Sequence, residues 1–262
     1  MKKVYLLPNL FTTASLFFGM LAVTRVFENE PIQACWLILI SAILDGLDGK
    51  IARLMRAESS FGVNYDSLAD LVAFGVAPAA LMFNVLSDEG SMKIASGVTT
   101  LYTICGALRL ARFNVQRTRE EKHSFTGLPI PAAAGTVVAA FLVYERYERV
   151  NPTSELPAKL LPFLIVILSC LMVSKIPYPS MKYLRIERRQ PFDYLISIIA
   201  VLCILLVLRE FLDCLLLFGF AAYVGYGLSR AVHGLFHRRR AVPAEGLADH
   251  EGKPHEPLPL ER

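Results

Sequence analysis

Four aspartates, Asp45, Asp48, Asp66 and Asp70, stand close together in a chain that is otherwise strongly apolar. Apolar residues lead in from Cys35 to Leu44 and follow from Leu71 to Leu86. Carboxylates are costly at membrane depth, and those kept there line a cavity or an ion site. Asp45 and Asp48 are three apart and Asp66 and Asp70 four apart, so each pair shares one face of a helix. A turn around Met55 to Ser60 makes the two helices antiparallel neighbours and turns the pairs toward each other. Oxygen donors in that arrangement suit hard divalent cations such as Mg²⁺, Mn²⁺ or Ca²⁺.

Small residues accompany the acids. Gly46, Gly49 and Ala52 interrupt a helix that otherwise prefers bulk, and Gly62 opens its successor. They let a ligand or a second backbone come close. Gly49 and Ala52 form a shallow face beside Asp48, and Arg53 follows to meet an anion. Metal, small-residue floor and arginine together suit a diphosphate substrate. The plainer alternative is a set of helix-packing glycines with aspartates in salt bridges to Lys50, Arg53 or Arg56. Against it, the four acids outnumber the cations within reach.

The elements that must position these residues are transmembrane helices. The chain is 54% hydrophobic and 19% charged, too apolar for an ordinary soluble domain. The expected fold is all-α, a polytopic membrane bundle of about eight spans near 8–26, 32–52, 67–87, 93–111, 131–147, 157–175, 192–209 and 211–231. No cleavage site follows the first apolar run, so that segment is read as a retained helix. With the N-terminus inside, the inner side carries Lys2, Lys3, Lys50, Arg53, Arg56, Arg109, Arg112, Arg117, Arg119 and Lys122 in its first half. Lys175, Lys182, Arg185, Arg188, Arg189, Arg230, Arg238, Arg239, Arg240, Lys253 and Arg262 follow in its second. The outer side keeps only Arg25, Lys93, Arg146, Arg149, Lys159 and Arg209. That asymmetry puts both termini and the aspartates on the cytoplasmic side of the cell's inner or plasma membrane.

The rest of the chain supplies secondary candidates. Asn9 and Thr12 lie at the cytoplasmic end of the first span: either a cap and a back-bonded hydroxyl, or groups at a nucleotide or phosphate. Gly75 and Ala79 make a small-residue pair for close packing, and Pro78 is expected to kink its helix. Arg109 and Arg112 share a helix face, either as membrane anchors or to hold a carboxylate or phosphate. Lys175 has the same two readings. Two prolines after Gly127 stiffen the approach to the fifth span, and Tyr178 reads as an interfacial belt residue. The five cysteines read as buried hydrophobes, and His233 and His237 as a membrane-surface helix end. The last two spans read as scaffold. Residues 1–240 form one membrane domain and 241–262 a disordered tail. No nucleic-acid partner is expected.

The pattern D-x-x-D-G-x-x-A-R-x8-G-x3-D-x3-D is met at every fixed position from Asp45 to Asp70. It resembles the signature of the CDP-alcohol phosphatidyltransferases, integral membrane enzymes of phospholipid synthesis. Arg109 to Asn114, Gly127 to Pro131 and Ser174 to Pro179 are similar to the phosphatidylserine synthase branch of that family. The resemblance implies transfer of a phosphatidyl group from CDP-diacylglycerol to L-serine, releasing CMP, by a homodimer. It implies that Asp45, Asp48 and Asp66 hold a Mg²⁺ or Mn²⁺. A second ion, with Ca²⁺ an option, would bridge Asp66 and Asp70, and Asp70 would act as general base. Asn9, Thr12, Gly49, Ala52, Arg53 and Gly62 are expected at CDP-diacylglycerol, and Arg109, Arg112 and Lys175 at serine. Two rivals are a relative that uses glycerol 3-phosphate or an inositol phosphate, and a divalent-cation transporter. The first would need a denser basic pocket; the second would be expected to show repeat symmetry, whereas the acids lie in one half only.

Overall fold

A computed structural model describes residues 6–55, 59–88, 92–118, 127–151, 156–176, 178 and 212–240. Among these residues the regular structure is entirely helical. Helix α1 (Leu6–Phe27) and α2 (Pro31–Leu54) form the first hairpin. Its turn places Asn29 at φ 58°, a left-handed conformation that asparagine tolerates better than most residues. At mid-height the two helices are tied by hydroxyls, with Ser15 Oγ 2.7 Å from Ser41 Oγ and Ser41 Oγ donating to the Ser15 carbonyl at 2.9 Å. Small polar residues of this kind let apolar helices approach and bond across the seam. Arg25 is paired with Glu28 and Glu30 beside that turn.

Helix α3 (Ser60–Asp70) runs through a π-helical stretch, Leu71–Val76, into α4 (Ala77–Asp88). Ser59 caps α3 by accepting the Gly62 N–H at 3.0 Å. The third helix therefore begins at Ser60, seven residues before the expected 67, because a good cap precedes the aspartates and the polar stretch around them is helical too.

The expected disturbance at Pro78 is visible one turn upstream. Pro78 has no N–H to offer Phe74, four residues back. The freed Phe74 carbonyl accepts the buried Tyr102 hydroxyl at 3.1 Å, and the Ala77 N–H reaches back to Val72 in π register.

The remaining described helices are α5 (Met92–Thr118), α6 (Ile130–Val150), α7 (Leu156–Val173) and α8 (Leu212–Arg240). Helix α6 is the buried centre, enclosed continuously from Ala133 to Leu142, as a helix apolar all round must be. The core gathers Phe74, Leu81, Met82, Tyr102, Ile130, Val137, Phe141, Ile165 and Met172 around it. Helix α8 docks through aromatic rings on glycines: Phe220 lies on Gly135, and Tyr178 on Gly227.

Among the described residues, four helices are long and apolar enough to cross a membrane: Leu7–Phe27, Pro31–Ala52, Ser60–Ser87 and Met92–Val115. Helices also stand near the expected fifth, sixth and eighth positions. Helix α6 ends in Glu145, Arg146, Glu148 and Arg149, and the apolar stretch of α7 runs only from Lys159 to Val173. The expected span 192–209, the tail 241–262 and Arg56 lie outside the described residues.

Candidate active site

Asp45 and Asp48 come from α2, and Asp66 and Asp70 from α3. One carboxylate oxygen each from Asp45, Asp48 and Asp66 can be chosen so that all three lie within 4.8 Å of one another. Oxygens bound to one ion at about 2.0–2.6 Å are at most about 4–5 Å apart, so the three carboxylates fit a single hard cation. The Asp70 carboxyl lies beside this group, within hydrogen-bonding reach of Asp45 and in electrostatic range of Asp48 and Asp66. The two aspartate pairs face each other as expected, while the backbone of α3 packs chiefly on α1, the shared support of α2 and α3. Four acids and a cation need room between the helices that carry them, so direct packing of α2 on α3 would close the site.

The start of α1 braces the acids. Thr12 Oγ1 donates to Asp48 Oδ2 at 2.7 Å, with the Pro8 carbonyl at 3.2 Å as a longer alternative. Thr12 and Asp48 are each 5% exposed, so this bond is made out of water and holds the carboxylate in one orientation. The Pro8 contact fits the back-bonded reading of Thr12, and the bond to Asp48 was not anticipated. Thr13 joins α1 to α3 through the Tyr65 hydroxyl at 2.9 Å. Asn9 stands at the head of α3, where a Cβ on Gly62 would lie 3.4 Å from Asn9 Oδ1 and 3.1 Å from Ser59 Oγ. On the far side, Ser67 and Asn114 bond to each other at 3.0 Å and tie α3 to α5 next to Asp66. Sequence reasoning did not single out Ser67, and its only signal was a hydroxyl beside an acid.

Gly46 and Gly49 are not packing glycines within this chain. A Cβ on either would meet no atom within 4 Å, so the space they leave beside Asp45 and Asp48 is open. Ala52 is half-buried on the same helix, and Arg53 lies in its final turn.

The three cations expected at the acceptor separate into different environments. Arg109, on α5, is in electrostatic range of Asp70 and of Tyr223 on α8, and its Nε is buried with no hydrogen-bond partner. Arg112 sits one turn further along and donates to the carbonyls of Met172, Val173 and Ser174 at 3.4, 2.9 and 3.2 Å. It closes the C-terminal end of α7, where orphan carbonyls attract a cation. Lys175 is exposed just beyond.

Around that helix end three separate segments meet. The Gly127 N–H donates to Ile176 at 2.8 Å and the Leu128 N–H to Leu171 at 3.0 Å. Gly127 has φ +89°, and a Cβ there would strike the Met172 carbonyl and lie 3.0 Å from Arg112 Nη2. Only glycine fits both demands.

Two expectations need correction here. Tyr178 is no exposed belt residue: it is 4% exposed, lying on Gly227 with its ring centroid 5.7 Å from that of Tyr223. A glycine surface fits a flat ring better than the interface does. Burial pushes its phenol above the usual range, so it stays protonated and able to donate. Helix α8, read as scaffold, brings Tyr223 to Arg109. A tyrosine in an apolar helix carries no spacing signal, so only the packing reveals it.

Comparison with known proteins agrees with this site. The family model described as CDP-alcohol phosphatidyltransferase matches residues 5–174. A Helicobacter pylori protein named CDP-diacylglycerol–serine O-phosphatidyltransferase is 39% identical over 87% of this chain and 91% of its own length. A Mycobacterium bovis protein of the same name is 33% identical over 77% of this chain and 69% of its own. The archaetidylserine synthase of Methanothermobacter thermautotrophicus is 37% identical over 66% of this chain and 69% of its own.

Proposed function

Because the chain belongs to the CDP-alcohol phosphatidyltransferase family, we propose that it transfers the phosphatidyl group of CDP-diacylglycerol to the hydroxyl of L-serine, yielding phosphatidylserine and CMP. The observation that carries the reading is the set of three converging carboxylates with Asp70 alongside. Asp45, Asp48 and Asp66 would hold Mg²⁺ or Mn²⁺, and Asp66 and Asp70 would be the ligands for a second ion. A cation held there neutralises the diphosphate and stabilises charge developing on phosphorus.

The chain's own groups supply the rest. The open floor at Gly49 and Ala52 receives the cytidine, Arg53 and the Asn9–Thr12 end of α1 steady the diphosphate, and Gly62 lets Asn9 close on the head of α3. Asp70 accepts the proton of the serine hydroxyl as its oxygen bonds to the β-phosphorus. The bond from that phosphorus to the bridging oxygen breaks, and CMP leaves. A free carboxylate is a weak base for an alcohol, so the proton moves late in the step. Arg109 meets the serine carboxylate, with Lys175 at the outer lip and Arg112 fixing the floor beneath.

Serine is favoured over a phosphorylated acceptor because Arg109 is in electrostatic range of Asp70, and one guanidinium fork matches one carboxylate. The active site opens to the cytoplasm of an integral membrane homodimer with both termini inside, a bundle of about eight spans over residues 1–240 with 241–262 as a tail. That placement lets a two-chain lipid enter laterally while serine and CMP exchange with water.

The test is CMP release by purified protein in detergent with CDP-diacylglycerol and Mn²⁺ or Mg²⁺, offering L-serine, glycerol 3-phosphate or inositol phosphate. Release with serine alone, abolished by a chelator, is the expected result. Release with another acceptor overturns the choice of alcohol, and no release with any overturns the reaction.

A further inference from the structure

The end of the bundle opposite the aspartates holds a cavity of about 330 Å³, a size that takes small ligands. Among the described residues its apolar wall is Ile32 and Trp36 of α2 with Leu142 of α6. Its polar wall is Glu145, Arg146 and Arg149 near the end of α6 and Asp213 at the start of α8. Ile32 and Asp48 lie about 24 Å apart along α2, so this cavity is separate from the carboxylate site. Its charges balance, two guanidiniums against two carboxylates. Arg149 Nη2 donates to Glu145 Oε1 at 2.9 Å along α6, whereas Arg146 Nη1 stands 3.8 Å from Asp213 Oδ2 on the other helix. A charge-assisted hydrogen bond is about 2.7–2.9 Å long, so the second pair spans the gap between α6 and α8 without closing it. The apolar wall continues as a track. Trp36, Ile40, Ile43 and Leu47 are exposed and share with Ile32 one face of α2, away from the buried Asp48. From Trp36 to Leu47 the track runs about 16 Å, roughly half of the hydrocarbon thickness of a bilayer. That is the depth of one leaflet.

We infer that this cavity holds the head group of one phospholipid from the leaflet opposite the active site, a lipid whose head carries a phosphate and a primary ammonium. The guanidinium forks of Arg146 and Arg149 match the phosphate. Glu145 and Asp213 accept from the ammonium, which has three N–H donors to give. Trp36, the single tryptophan of the chain, has the amphipathic ring favoured at a membrane boundary and leads an acyl chain onto the track below it. Charge balance sets the choice of head group. An anionic head without an amine would face Glu145 and Asp213 with its own negative charge, and a trimethylammonium head offers them no N–H. A site built to hydrogen-bond one group strongly rejects analogues that lack it. The inference does not depend on which alcohol the active site uses.

The test titrates phospholipid into the purified full-length protein in detergent and counts bound lipid by native mass spectrometry. Phosphatidylethanolamine, phosphatidylglycerol and phosphatidylcholine with the same acyl chains are compared. Wild-type protein is expected to take up one phosphatidylethanolamine at a concentration at least about tenfold below that needed for either of the others. Glu145→Gln combined with Asp213→Asn should erase this preference. Arg146→Gln should weaken phosphatidylethanolamine binding by about tenfold. Cooperative unfolding in lipid-free detergent checks that each variant is folded. Arg149→Gln, on the more exposed flank of the cavity, should weaken the same binding severalfold and serves where the others do not fold. Equal uptake of all three lipids by wild-type protein overturns the site, and tighter uptake of phosphatidylglycerol overturns the choice of head group. Folded variants that keep the wild-type preference and affinity overturn the assignment of these side chains.

Discussion

The Thr12 hydroxyl donates to Asp48 Oδ2 across 2.7 Å, linking the first helix of the chain to the second at a point where both residues are 5% exposed. The bond fixes which oxygen of Asp48 is left to face Asp45 and Asp66. Thr12→Val keeps the shape and removes the donor. It is expected to raise the metal concentration for half-maximal activity by about tenfold, the usual scale for a group that orients a ligand. Thr12→Ser should restore it. Metal titration of CMP release measures this, and an unchanged midpoint would show that the bond is only structural.

Asp70 and Asp48 should fail differently. Asp70→Asn removes the proposed base while the three converging carboxylates remain, so kcat is expected to fall by about 10²–10⁴ at all metal concentrations, with the ion of Asp45, Asp48 and Asp66 still bound. Asp48→Asn should instead lose bound metal. Metal content of the purified variants, measured beside their rates, separates the two; equal metal loss in both would reduce Asp70 to a ligand.

The glycines divide into two classes by what surrounds them. A Cβ on Gly49 meets nothing within 4 Å, whereas one on Gly19 would lie 2.6 Å from the Ala73 Cα. Gly49→Val is therefore expected to leave thermal stability intact and raise KM for CDP-diacylglycerol by about tenfold or more by filling the floor. Gly19→Ala should cost about 1–3 kcal/mol by forcing α1 off the π-helical stretch. Thermal unfolding in detergent and substrate titration should give opposite patterns for the two.

Tyr102 and Pro78 act on one carbonyl. The proline withholds a hydrogen bond from Phe74 and the tyrosine supplies it. Tyr102→Phe should cost about 1 kcal/mol. Adding Pro78→Ala gives Phe74 a backbone donor, and the double variant should recover most of that loss. Additive losses in unfolding measurements would show that the two residues are not coupled through this carbonyl.

The sequence by itself determined the helical membrane character and the identity of the acids. Apolar runs long enough to cross a bilayer need no partner to be recognised, and carboxylates three and four apart must share a helix face whatever packs beside them. The open face at Gly49 was legible for the same reason, being fixed by local spacing to Asp48. Relations between distant segments were not legible. Thr12 beside Asp48, α1 as the chief support of α3, Arg112 on the end of α7, and Tyr178 against Tyr223 all depend on how segments far apart in the chain pack together. Helical periodicity states which way a side chain faces within its own helix. It carries no information about which other helix it will meet, and that was decided by burial around α6 and by the few glycines flat enough to receive a ring.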